Sequence, residues 1–251
     1  MNTRRPRSVT PLRVLAETRR LPDHQYMDRP TLDWIASRPP TGPRPPIIPS
    51  GVSAMALIPE PDWFASTKII DGIHGIRHNA RVSLLTAVLA DHHGLAHEQA
   101  RTLCAAAACH DCRRRNDRDD PGHGDRAAVW FRGHQSLIRD ALRQPIDDVD
   151  ERRAATAVEL HDIDYARLSG EQQHSYRDAR VMTDMLKAAD ALDRYRLPLQ
   201  RWWPDPARLR IAIPAWIRPF AHDLVVAGER ARLDDAPLDE ALPIPGTSSG
   251  R

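Results

Sequence analysis

Apolar residues recur at three- and four-residue spacing along most of the stretch from 79 to 233, and no convincing period-two run interrupts them. That spacing builds an apolar stripe on a helix and no usable face on a strand, so the chain is expected to be all-α. Residues 79–93 carry Val82, Leu85 and Leu89 on one stripe and stop at Gly94, which suits the left-handed position after a helix. Residues 98–110 are alanine-rich, which allows close packing near their C-terminal end. Shorter helices are expected over 124–131 and 135–142. Asp148 with Glu151 three residues on resembles a capping box and opens a helix running to about 161. Residues 178–195 present Met182, Met185, Leu186, Ala189 and Leu192. Residues 215–233 present Trp216, Phe220, Leu224 and Val225, with Pro219 tolerable only near the start.

At 251 residues the chain supports one sizeable core with appendages. The expected division is a Pro/Arg-rich, poorly packed extension over 1–62, a helical core over 63–233 and a disordered tail over 234–251. Prolines crowd positions 39–49 and block both helix and ladder bonding, while Leu32, Trp34 and Ile35 form a short amphipathic piece able to dock. Net charge is only +2 from 36 basic and 34 acidic residues, so no global field marks a nucleic-acid binder. Lys68 and Lys187 are the only lysines; the remaining cations are arginines, which favour bidentate phosphate contacts where they line a pocket. No apolar run reaches the roughly 18 residues a membrane span needs. The Met-Asn-Thr-Arg-Arg-Pro-Arg start has no apolar segment behind it, against a secretory signal. Cys104, Cys109 and Cys112 read as reduced thiols, and a cytoplasmic location is expected. A zinc knuckle at Cys109-His110-Asp111-Cys112 lacks a second Cys/His pair at matching spacing.

The dipeptide His-Asp occurs three times, at 110, 161 and 222, and context separates them. His110-Asp111 ends a helix before a polar loop, so both side chains can turn into one cavity. His78 opens its helix, and Asp190 sits in an otherwise apolar segment where an unpaired carboxylate is costly to bury. Two imidazoles and two carboxylates converging there would satisfy a divalent cation and the buried charge together.

His78-x-x-Arg81-Val82, His110-Asp111 and Ala189-Asp190-x-Leu192-Asp193-Arg194, in that order on successive helices, resemble the HD-domain metal-dependent phosphohydrolases over residues 66–197. The resemblance implies an HD-domain helical bundle with His78, His110, Asp111 and Asp190 as ligands of a first ion. His123, with Ala127 and Ala128 behind it, looks like the His-x-x-x-x-Ala helix start of binuclear members. His161 shares the inward face of Ala154 and Val158. The six-residue set is similar to that of the HD-class bacterial diadenosine tetraphosphatases, which implies a second ion on His123 and His161 with Asp111 bridging. Mixed nitrogen and oxygen ligation suits iron or manganese, with cobalt, nickel or magnesium as alternatives. The implied activity is hydrolysis of a phosphate ester or anhydride in a nucleotide or another small phosphorylated metabolite.

Around this set, Arg114 is the arginine of the loop 113–118 expected to turn inward to a substrate phosphate, its neighbours forming a solvated face. The resemblance also implies that Asp117 serves proton transfer and that Lys187, one turn from Asp190, faces the site, unless it pairs with a neighbouring carboxylate. His74, four residues before His78, is either a general acid or substrate contact, or a histidine of the entry loop. His134 competes with His123 but lacks the Ala-Ala context, and Trp202-Trp203-Pro204 reads as a packing plug. The same cage also resembles the mixed-valence diiron oxygenases of this fold. A non-catalytic module with a structural metal and a partner-docking N-terminal arm is the third alternative.

Overall fold

A computed structural model describes residues 10–143 and 145–242; the Arg/Pro start and the Gly246–Gly250 run lie outside them. Its α-helices, in chain order, are α1 (Leu12–Glu17), α2 (Arg29–Ala36), α3 (Ser50–Ser53), α4 (Thr67–Ile70), α5 (Ile76–His92), α6 (His97–Cys109) and α7 (His123–Gly133). They continue as α8 (Gln135–Leu142), α9 (Asp148–Leu160), α10 (Gly170–Asp178), α11 (Arg180–Asp193), α12 (Ile217–Leu233) and α13 (Leu238–Ala241). No strand occurs among the described residues, as the period-3.6 pattern predicts.

The core is built around α5, which is buried on nearly every side and packs against α6, α11 and α12. Helix α9 closes the bundle against α6, α7 and α11. Ala105, Ala106, Ala107 and Ala108 are fully buried, so α6 approaches α5 closely enough for Ser83 Oγ to reach the Cys104 carbonyl at 2.8 Å. Gly94 ends α5 at φ 67°, with Leu95 N–H closing back on Ala90 O at 2.9 Å, the expected left-handed stop. No helix among the described residues is long and apolar enough to cross a membrane.

Four local expectations are corrected. The cap of α9 is Asp147, whose carboxylate accepts from Val149 N and Asp150 N, one residue before the expected start. The expected 178–195 helix breaks at Ala179, and α10 precedes it, opened by a full Ser169/Gln172 capping box visible in the sequence. The N-terminal stretch is irregular through its prolines yet packed. Asp28 caps α2, accepts from Leu12 N, and seats Leu32 and Ile35 against Trp203, Val226 and Leu233. Farther along, Met55, Leu57 and Trp63 are buried, and Leu57 N donates to Ser83 Oγ at 2.9 Å. Residues 234–242 are likewise ordered, Leu242 being buried beside α12.

Candidate metal centre

The ends of α6 and α9 make the site. A helix leaves its last carbonyls without intrahelical partners. Here His110 and His161, each the C-cap residue, donate Nδ1–H to the carbonyl three residues back, Ala107 O at 2.7 Å and Val158 O at 2.6 Å. The bond orients each ring and fixes the proton on Nδ1, so Nε2 carries a lone pair pointing off the helix end. His123 opens α7 after Gly122 (φ 74°) and does the same with Asp120 O at 2.7 Å. His78, in the first turn of α5, donates Nδ1–H to Asp193 Oδ2 at 2.8 Å. Four imidazoles therefore present four Nε2 lone pairs to one spot, at the partially negative ends of two helices; three have no donor, and that of His123 accepts from Arg114 Nη1 at 3.1 Å.

Asp111 stands between them. His123 Nε2 and His161 Nε2 lie 3.0 and 3.4 Å from its Oδ1, and His78 Nε2 lies 3.4 Å from its Oδ2. His110 Nε2 is 4.0 Å from Oδ2. Burial pushes the Asp111 carboxyl up, but Arg114 and the surrounding imidazoles outweigh it and hold it well below the usual range, so it is ionised. Its Oδ1 is buried with no hydrogen-bond partner. His78 and His110 face each other through Nε2 at 3.1 Å, as do His123 and His161 at 3.1 Å. Lone pair against lone pair repels, and a buried unpaired carboxylate oxygen is costly. A divalent cation in each gap resolves all of these contacts at once, so the donors fit two groups, His78/His110/Asp111 and Asp111/His123/His161, within 4.8 Å ligand spacing. A proton on one ring is the competing solution, and Asp111 draws one toward His123 against burial, but burial lowers the proton affinity of His110. Asp190, with its side chain 27% exposed, stands at the rim with Oδ1 3.4 Å from His78 Nε2 and 3.8 Å from His110 Nε2.

Backbone permits the convergence at two glycines. A Cβ on Gly75 would lie 2.0 Å from Ile70 O, so only glycine lets α5 begin where His78 is needed. A Cβ on Gly124 would meet Val158 O at 2.8 Å and Glu159 O at 2.9 Å, so glycine brings the start of α7 onto the end of α9. Asn79 ties the two sides together, accepting from Asp111 N–H at 3.2 Å while donating to His74 O and Gly75 O.

The remaining expected residues divide. Arg114 is turned inward, 7% exposed, donating to His123 Nε2 at 3.1 Å and lying 3.7 Å from Asp111 Oδ1, with Asn116 O and Arg118 O fixing its other nitrogens. It borders a cavity of about 430 Å³ shared with Arg118, His123, Asp162 and Arg167. His74 and Asp117 form a pair unseen in the sequence, Nδ1 to Oδ1 at 2.9 Å beside His78. Asp117 is wholly enclosed, also accepting from Gln25 N at 2.8 Å, and burial pushes its carboxyl up to about 6. Burial, with Arg114 and Arg196, lowers His74 well below the imidazole range. Lys187 differs from expectation: its ammonium donates to Leu160 O, His161 O and Ile163 O at 2.6–2.9 Å, capping α9 rather than standing free in the site. All three of its donors are thereby used, and burial lowers it to about 8. It still lines a larger cleft of about 850 Å³ with His161, Asp190, Arg194 and Arg208.

His134 stacks on Trp130 at 4.6 Å, away from the cluster. Trp203 packs on Trp34 and Tyr195 and donates to Leu197 O, as a plug would. The three cysteines are buried and belong to no convergent ligand group among the described residues. Sequence reasoning missed Gln25, and also Arg196, whose buried Nη1 lacks a hydrogen-bond partner and lies 3.5 Å from Asp193. Nothing in spacing distinguishes Arg196 from the many other arginines. No family model, no curated protein and no solved structure matches this chain.

Proposed function

We propose that the protein is a metal-dependent phosphohydrolase of the HD-domain type, acting on a nucleotide or another small phosphorylated metabolite. The supporting observation is the four Nε2 lone pairs, three of them without a donor, gathered around the Asp111 carboxylate, whose buried Oδ1 has no hydrogen-bond partner. Two divalent ions, iron or manganese by donor type, would supply an activated water and offset charge on the phosphoryl group. His78, His110, Asp111 and Asp190 would hold the first, and Asp111, His123 and His161 the second.

The chain's own residues supply the rest. Arg114, clamped by two loop carbonyls, presents a preorganised guanidinium between Asp111 and the 430 Å³ cavity, suited to a phosphate oxygen. His74, oriented by Asp117 and neutral near pH 7, is placed beside His78 to give or take a proton. The 850 Å³ cleft beyond Asp190, lined by the exposed Arg194 and Arg208 and by Asp162 and Asp164, gives room for the rest of the substrate. The test is elemental analysis of untagged protein, then incubation of iron- and manganese-loaded samples with a broad panel of phosphate esters and anhydrides. Metal near two ions per chain with release of phosphate or nucleotide is expected; metal-loaded protein that releases neither refutes the activity.

A further inference from the structure

Three of the four imidazoles donate Nδ1–H to a backbone carbonyl, His123 lying also 3.2 Å from Asp162 Oδ2; the Nδ1 of His78 has a carboxylate and no carbonyl as its partner. That carboxylate, Asp193, is fully buried at the end of α11. Its Oδ1 accepts from Arg81 Nε at 2.6 Å, and its Oδ2 accepts from Arg81 Nη2 at 3.1 Å as well as from His78. Arg81, also fully buried, sits one turn beyond His78 and donates Nη1 to Glu229 Oε1 on α12 at 2.9 Å. Glu229 Oε2 in turn accepts from Arg77 Nε at 3.1 Å. Gly228 leaves the room: a Cβ there would lie 3.2 Å from Arg81 Nη1. An isolated mid-helix glycine otherwise destabilises a helix, so its presence in α12 goes with this close approach.

We infer that Asp193, held in place by Arg81 and Glu229, is a positioning residue that locks His78 in the Nδ1–H tautomer and so keeps Nε2 free for the first ion. The chain of charges makes α12 part of the centre, although Glu229 lies beyond the 66–197 stretch that carries the motifs. Arginine has donors only, and Arg81 presents one N–H to each oxygen of residue 193, the closer to Oδ1. In Asp193→Asn one of the two Arg81 contacts must be given up; the 2.6 Å contact of Nε is the tighter and keeps the amide oxygen, so the NH2 replaces Oδ2 and gives up the 3.1 Å contact of Nη2. The amide NH2 then faces His78 Nδ1 and drives the proton to Nε2, the wrong tautomer for a ligand.

The experiment has a metal-free arm and a metal arm. In chelator-treated protein, long-range proton–nitrogen NMR reads the tautomer of each histidine. Wild type is expected to show His78 as Nδ1–H, and Asp193→Asn to move that ring alone to Nε2–H. Divalent-ion titration of the same proteins is expected to show one ion weakened about 10–100-fold and the other unchanged, the usual cost of losing such a partner. Glu229→Gln, which leaves Asp193 and Arg81 paired, is the variant to use if Asp193→Asn does not fold. It is expected to weaken the same single ion severalfold with His78 still Nδ1–H. An Nε2–H His78 in wild type, an unmoved tautomer in Asp193→Asn, or equal weakening of both ions overturns the lock. Unchanged affinity for both ions in Glu229→Gln overturns the role of α12. The inference rests on the metal reading only in its second arm. A wild type that takes up no divalent ion would sink that reading, while the NMR still decides the tautomer.

Discussion

Gly124→Ala tests the two proposed metal groups separately, by a packing change alone. The added Cβ would come within 2.8 Å of Val158 O and Asp162 Oδ1 and 2.9 Å of Glu159 O, about 0.6 Å short of ordinary contact at 3.4 Å. Two of these three atoms belong to backbone at the end of α9, so the start of α7 must move outward. His123 is the neighbouring residue, and its Nε2 now stands 3.1 Å from that of His161. Metal ligands tolerate displacement of only about 0.2 Å, so the second group is expected to be lost while His78, His110 and Asp190, on α5, the α6 end and α11, stay in place. Overpacking of this kind costs about 1–3 kcal/mol. For a chain of this size that lowers the midpoint of thermal unfolding by roughly 2–12 °C, measured in chelator to exclude linkage to metal. Gly133→Ala, in the last turn of the same helix with nothing within 4 Å of the new Cβ, is the control and is expected to be neutral or slightly stabilising. Isothermal titration with manganese should then give one ion for Gly124→Ala and two for the control. Two ions and an unshifted midpoint in Gly124→Ala would refute the claim that α7–α9 contact sets the second group.

Further outcomes follow from the neighbouring residues. Asp117 is held at about 6 by burial, above its ordinary 3.8, so the fold favours its neutral form. Its stabilising share is complete below about pH 4 and is lost as pH rises through 6, a decline of about 3 kcal/mol that Asp117→Asn should abolish in urea melts between pH 4 and 7. An identical pH profile in the variant would count against a buried carboxyl there. Lys187→Met should lower stability by about 2–3 kcal/mol, because three carbonyls lose a charged donor; an unmoved urea midpoint would show that the cap is not made. Arg114→Ala should raise KM for a phosphorylated substrate about 10–100-fold in steady-state assays, and unchanged kinetics would remove it from the binding face.

The sequence by itself determined the helical class, because apolar spacing decides which secondary structure can bury a face, and α5 with its Gly94 stop shows this most directly. It also picked out the ligand candidates, because a histidine or aspartate at a helix end beside apolar residues has few inexpensive ways to be buried. Tertiary structure decided what those residues do for one another. The pairing of His74 with Asp117 spans 43 positions, that of Arg81 with Glu229 spans 148, and Gln25 reaches Asp117 across 92. Such contacts depend on which helices cross and where, and no local spacing encodes that. Lys187 shows the limit most clearly: helical spacing from Asp190 places it on the right helix face, but the end of α9 supplies three carbonyls that take up its charge. Donor types could be read along the chain, whereas the Nδ1 protons that turn the Nε2 atoms of His78, His110, His123 and His161 toward one another are placed by the atoms behind each ring.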